Sequence, residues 1–190
     1  MFRLSGRSSR SLPKESYLES KTISKSPPPA MPEVTTVELH RLLSPQRIKL
    51  RLRAKDKTDL LNKMVDLLKD APEVIDLEAV RKAIFEREEM MSTGVGKGLA
   101  LPHAKTPAVS DTMVALATLE EPVDFDAIDN EPVQIVFLLV GPPEARSLHI
   151  RLLSRISRLM NRQAFREQLL KAETPADVIR LFKEFEEQLT

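Results

Sequence analysis

The chain of 190 residues has no cysteine, no tryptophan and only three histidines. Without cysteine there can be no disulfide, no thiolate nucleophile and no thiolate metal site, and the absence is consistent with a reducing compartment. Aromatic residues make up only 4%, so a core has to be built from Leu, Ile, Val and Ala, which a hydrophobic fraction of 42% can supply. No apolar run approaches the roughly 20 residues needed to span a bilayer, so membrane insertion is not expected. A formal net charge of +1 singles out no class of partner, and no nucleic-acid partner is expected.

Length alone suggests one domain with an extension. Residues 1–30 carry six basic and two acidic side chains, a net +4 that leaves −3 for the remaining 160 residues. Residues 1–33 are rich in Ser, Lys and Arg and run into Ser26-Pro27-Pro28-Pro29. Such a segment buries too little apolar surface to offset the entropy of ordering. A solvated, disordered tail is the first reading. An upstream start, with Met31 opening a complete domain, is the second. An Arg- and Ser-rich transit peptide comes last, because the segment lacks an amphipathic apolar face.

Beyond the tail, the pattern alternates between strand and helix. Val37–Leu43 suits a short helix. Ile48–Ala54 alternates apolar and basic residues at the period of a half-buried strand. Leu60, Leu61, Met64, Val65 and Leu68 then recur at helical spacing after Asp56–Asp59. Asp76 caps a second helix with a stripe of Leu77, Val80 and Ile84 that ends near Met90. Met113–Leu119 and Val133–Val140 are apolar on both faces, as in strands covered on both sides, and Gly141-Pro142-Pro143 stops the second. Three helices close the chain. The first carries Leu148, Leu152, Ile156 and Leu159 or Met160, and the second spans residues 162–171. The third opens on Thr174-Pro175-Ala176-Asp177 and buries Val178, Leu181, Phe182, Phe185 and Leu189. The predicted order is β-α-α-β-β-β-α-α-α, an α/β domain whose sheet is flanked by helices.

Chemistry concentrates around His103. A neutral imidazole is a nucleophile, and its unperturbed pKa of about 6.5 leaves much of it unprotonated at neutral pH. A phosphoryl group carried there brings negative charge that needs donors. Gly94, Gly96 and Gly98 would let backbone N–H groups approach such an anion, and Pro102 confines Leu101 to extended geometry. The same glycines also suit an ordinary turn beside a surface histidine, and the local pattern does not separate the two. His149 lies in the first turn of its helix, at the edge of the buried stripe. A helix N-terminus there favours an anion and lowers the histidine pKa. Arg87, near the end of the second helix, reads by itself as a solvated residue. Arg146, Arg151, Arg155, Arg158, Arg162 and Arg166 read as the wet face of a helix pair, with docking of an acidic partner as the alternative. Two histidines without supporting carboxylates do not specify a metal, and His40 is given no role.

The run Arg87-Glu88 followed by Ser92-Thr93-Gly94-Val95-Gly96-Lys97-Gly98-Leu99-Ala100-Leu101-Pro102-His103-Ala104 resembles the active-site signature of fructose/mannitol-type IIA domains. These belong to the phosphoenolpyruvate-dependent phosphotransferase system. Phe125–Asn130, the strand Pro132–Val140 and His149 carry the resemblance further, and it covers about residues 34–190. It is closest to the nitrogen-regulatory branch. The resemblance implies a mixed sheet of about five strands flanked by helices. It implies phosphorylation of His103 at Nε2, with His149 as the second active-site histidine and Arg87 stabilising phosphoryl charge. Ser92 and Thr93 would shape the pocket and donate hydrogen bonds, with Gly98 and Pro102 as further binding positions. The phosphoryl donor would be a phosphocarrier protein of the HPr or nitrogen-HPr type, with no metal or organic cofactor. Ala104 stands where Gly is common in the family, and Ile150 where Leu follows the second histidine.

The expectation is therefore a free-standing cytoplasmic IIA protein, without room for a IIB or IIC domain. Its first function is phosphoryl carriage with a regulatory target. The alternative is a sugar-transport component passing phosphate to a separate IIB protein. A phosphorylation-silent binding module ranks third, because His103, His149 and Arg87 are all present.

Overall fold

The computed structural model describes residues 37–188. The basic segment 1–33 and Leu189 lie outside the described residues. Six strands form one mixed sheet: β1 Ile48–Leu52, β2 Gly94–Gly96, β3 Leu99–Ala100, β4 His103–Lys105, β5 Met113–Val123 and β6 Val133–Gly141. Five α-helices flank it: α1 Lys57–Asp66, α2 Leu77–Met90, α3 Arg146–Met160, α4 Gln163–Lys171 and α5 Pro175–Glu187. The expected helix at Val37–Leu43 is a single 3-10 turn, Leu39–Arg41.

The strand order is β1-β5-β6-β3-β2, with β4 also on β6. β5 and β6 are antiparallel, and β1 runs parallel to β5. β3 pairs with β6 as Leu99–Ile135 and Ala100–Val136, and β4 continues in the same register as His103–Leu139, Ala104–Val140 and Lys105–Gly141. They are one parallel strand interrupted at Leu101-Pro102, where proline has no N–H to offer the ladder. Counted this way the sheet has the five strands expected. The element order differs from the expectation only because the glycine-rich stretch makes a hairpin, β2 with β3, ahead of the interruption.

Alternation along the two central strands divides the core. Met113, Ala115, Ala117, Val136, Leu138 and Val140 face α1 and α2. Val114, Leu116, Ile135, Phe137 and Leu139 face α3, α4 and α5. Both faces are buried, which is why these strands read as continuous apolar runs. Phe85 and Phe125 pack on the first side; Phe137, Phe165, Phe182 and Phe185 pack on the second, where Phe165 meets Phe182 and Phe185 edge-on at 4.9 and 5.0 Å between centroids.

Helix starts follow the capping chemistry. Asp56 accepts from the Asp59 N–H at 2.8 Å, Asp76 from Ala79 at 3.0 Å, and Thr174 and Asp177 cap each other reciprocally. The cap at Asp76 sets the phase of α2. That phase turns Val80, Ile84 and Glu88 inward and leaves Arg87 half-buried beside β4.

Candidate active site

Leu101 prepares His103. Its N–H donates to Thr93 O at 2.9 Å and its side chain is buried. Its carbonyl faces His103 Nδ1 at 2.7 Å. A carbonyl can only accept, so Nδ1 carries the proton and Nε2 keeps its lone pair. Burial lowers the pKa of His103 below the ordinary histidine value, and the charges of Arg87 and Lys105 push the same way. The bond to Leu101 and the charge of Glu88 oppose them. At neutral pH the ring is uncharged and nucleophilic at Nε2.

His149 stands across from it, with ring centroids 5.6 Å apart and planes inclined by 57°. Only 4% of His149 is exposed, and neither ring nitrogen has a hydrogen-bond partner. Its pKa is lowered to about 4, first by burial and then by the neighbouring His103 and Lys105. The expected depression is present, but loss of hydration is its leading cause rather than the field of the helix N-terminus. An uncharged His149 offers one N–H donor and one acceptor.

Both rings line a cavity of about 500 Å³ between α2, β4 and the start of α3. Arg87, Lys105 and Arg146 also line it, against a single carboxylate, Glu86. Arg87 Nη1 donates to Met91 O at 2.9 Å, which anchors the guanidinium at the end of its helix. Met90 and Ile150, 82% and 58% exposed, form an apolar rim. Among the described residues no group of three or more His, Cys, Asp or Glu side chains is placed to hold a metal ion. A neutral nucleophilic imidazole beside three cations and an uncharged donor suits an acquired anionic group.

Comparison with known proteins gives this chemistry its family. Residues 41–185 match the family described as "Phosphoenolpyruvate-dependent sugar phosphotransferase system, EIIA 2". The chain belongs to this EIIA 2 family. It is 36% identical over 143 residues to the fructose-specific EIIABC component of Bacillus subtilis, covering 75% of this chain and 22% of that protein. It thus spans about a fifth of that relative's length. It is 32% identical over 139 residues to the nitrogen regulatory protein of Pseudomonas aeruginosa, covering 73% of this chain and 90% of the relative. The crystal structure of nitrogen regulatory protein IIA-Ntr from Neisseria meningitidis superposes with a TM-score of 0.71 at 28% identity, covering 76% of this chain and 98% of that one. EIIA domains of the phosphotransferase system transfer phosphoryl groups. No helix among the described residues of this EIIA chain is long and apolar enough to cross a membrane.

Of the EIIA positions expected from sequence, the fold brings His103, His149 and Arg87 to one cavity. Ser92, Thr93, Gly98 and Pro102 do not line it. Ser92 Oγ donates to Phe125 O at 2.8 Å. Thr93 is buried, with its N–H and hydroxyl both given to Glu88. Gly98, at φ +71°, turns the β2–β3 hairpin, and Pro102 O accepts the Leu139 N–H at 3.0 Å. These four residues shape the loop that leads to His103. Gly94 is held there by close approach, since a Cβ on it would meet Ala127 Cα at 2.7 Å.

Two cavity cations went unassigned to the site in the sequence. Lys105 follows His103 by two residues, the spacing that puts strand residues on one face. Arg146 precedes His149 by three, the spacing that stacks helix residues. Arg146 is exposed, in keeping with a wet helix face, and still reaches the cavity.

Proposed function

We propose that His103 Nε2 accepts a phosphoryl group from an HPr-type phosphocarrier and that the chain acts as a regulatory carrier of the nitrogen-type phosphotransferase system. One observation carries the chemistry: the 2.7 Å hydrogen bond from Nδ1 to Leu101 O, which reserves the lone pair for Nε2 beside a cationic cavity. Attack by that lone pair on the donor's phosphohistidine forms the new N–P bond. The old N–P bond breaks, and its electron pair stays with the donor imidazole. The ring of His103 gains positive character as the bond forms, and the Leu101 carbonyl stabilises it through Nδ1–H.

Arg87, Lys105 and Arg146 offset the phosphoryl charge. His149 donates one N–H to a phosphoryl oxygen. Because His149 is uncharged, it orients the group without holding it as tightly as an imidazolium would, which suits a carrier that must release its load. The exposed Met90 and Ile150 supply apolar area for a docking protein.

The regulatory reading is supported by the likeness to nitrogen regulatory proteins, which this chain matches over nearly their whole length. The identity of 36% to a fructose-specific EIIABC component favours a second reading, in which the acceptor is a sugar-specific IIB protein. Intact-mass spectrometry after incubation with phosphoenolpyruvate, Enzyme I and each HPr-type carrier tests the chemistry. The expected result is one acid-labile phosphate on the wild type and none on a folded His103→Ala protein. Labelling that survives in His103→Ala would overturn the site. No labelling by any carrier would leave a phosphorylation-silent binding module. Onward transfer to a IIB protein would decide for the sugar-transport reading.

A further inference from the structure

Glu88 has no part in the cavity, yet it is buried to 7% exposure one residue after Arg87. Neighbours on a helix point about 100° apart, so α2 presents Arg87 to the cavity and Glu88 to the core. Both carboxylate oxygens are engaged. Oε1 accepts the Thr93 N–H at 2.9 Å and Oε2 accepts the Thr93 hydroxyl. Lys57 Nζ pairs with Oε1 at 2.9 Å, lies 3.1 Å from Asp126 and packs 4.7 Å above the Phe125 ring. A carboxylate gripped on both oxygens cannot turn, and a threonine that gives both donors to it cannot turn either.

The grip leads to His103. With its N–H on Glu88, Thr93 directs its carbonyl to the Leu101 N–H at 2.9 Å. That bond continues the β2–β3 ladder one step past the pair Gly94–Ala100. The next group along is the Leu101 carbonyl, which receives His103 Nδ1–H. We propose that Glu88 is a positioning residue: held by Lys57, it fixes Thr93, and through the Thr93–Leu101 bond it sets the tautomer and ring orientation of His103. The inference rests on His103 Nε2 as phosphoryl acceptor and adds what keeps that nitrogen free. The competing account is that β6 alone holds Leu101, through Ala100–Val136 on one side and the Leu139 N–H on Pro102 O on the other.

Nitrogen-15 NMR of His103 in the unphosphorylated protein separates the two, read beside the rate of labelling by a phosphorylated HPr-type carrier and beside thermal melting. Wild type should show protonated Nδ1 and bare Nε2. Glu88→Ala should populate the other tautomer and slow labelling about tenfold, as loss of outer-shell partners does elsewhere. Glu88→Gln, whose amide can accept the Thr93 N–H and donate to its hydroxyl, should restore the wild-type nitrogen pattern and most of the rate. Should Glu88→Ala fail to fold, Glu88→Asp carries the test, because its shorter arm cannot hold both Thr93 donors while its charge is kept. A folded Ala or Asp variant with the wild-type pattern overturns the proposal, and so does a Gln variant as impaired as Ala. If the wild type takes no label but Glu88→Ala still shifts the tautomer, the acceptor assignment fails and the positioning role stands.

Discussion

Two histidines, His40 and His149, sit on opposite sides of the ledger of satisfied groups. His40 Nδ1 meets Glu186 Oε2 at 2.8 Å, and the same carboxylate accepts the N–H groups of Leu39 and His40 and the guanidinium of Arg155. Glu186 is 3% exposed and ties the first 3-10 turn to α3 and α5. His149 is nearly as buried, and neither of its nitrogens has a partner. A buried polar group with all its bonds made is a structural tie. One with none costs stability, about 1–3 kcal/mol for each unsatisfied group, and is best explained by a partner that arrives during function.

Three substitution or titration experiments sharpen that contrast. His149→Leu removes the donor facing His103 and puts apolar volume where polar atoms lack partners. Labelling of His103 should slow about 100-fold, the scale of one lost transition-state donor, while the protein becomes as stable as wild type or about 1 kcal/mol more so. Labelling kinetics and urea unfolding report the two effects. A large loss of stability would mean that His149 has a structural partner after all. Glu186→Ala should do the reverse. It strands two backbone N–H groups and Arg155, so unfolding free energy should fall by about 3 kcal/mol, with the labelling rate of the folded fraction unchanged. A fall in the rate of the folded protein would join the two regions functionally and break the contrast.

The gentlest perturbation is a change of pH. The folded-state pKa of His149, about 4, lies below the unfolded value of about 6.5. Between these limits the unfolded chain binds the extra proton, so stability rises with pH and is lost as pH falls. The contribution is complete above about pH 6.5 and declines by up to about 3 kcal/mol towards pH 4. His103, whose pKa burial lowers as well, adds in the same sense. Subtracting the urea-derived profile of His149→Leu from that of wild type should reveal the His149 share. Parallel profiles would show that the ring titrates normally and is hydrated.

Much of this was legible in the chain. The stripe of Leu60, Leu61, Met64 and Val65 is buried as its spacing demands, and Asp76 and Thr174 cap the helices they precede. The apolar runs at Met113–Leu119 and Val133–Val140 became the doubly covered centre of the sheet. The stretch from Ser92 to Lys105 was harder. Its three strands are two or three residues long, and pairing partners far along the chain, such as Val136 and Leu139, define them rather than local pattern. Nothing near His40 in the sequence points to its partner, Glu186, which lies 146 residues away. Glu88 stood in the quoted signature without a role, since nothing in a one-dimensional string says which way a carboxylate faces.

The sequence by itself determined the periods, the caps and the two-sided burial of the sheet, because each depends on residues a few places apart along a helix or strand. It also placed a nucleophile in a recognisable signature. Only the tertiary structure decided that Lys105 and Arg146 join Arg87, His103 and His149 in one cavity. It also decided that burial, ahead of any field from the helix N-terminus, keeps His149 uncharged, and that Leu101 holds the proton of His103 on Nδ1. Charge state and tautomer follow from desolvation and from a few ångströms of hydrogen-bond geometry, and both are properties of the packed chain.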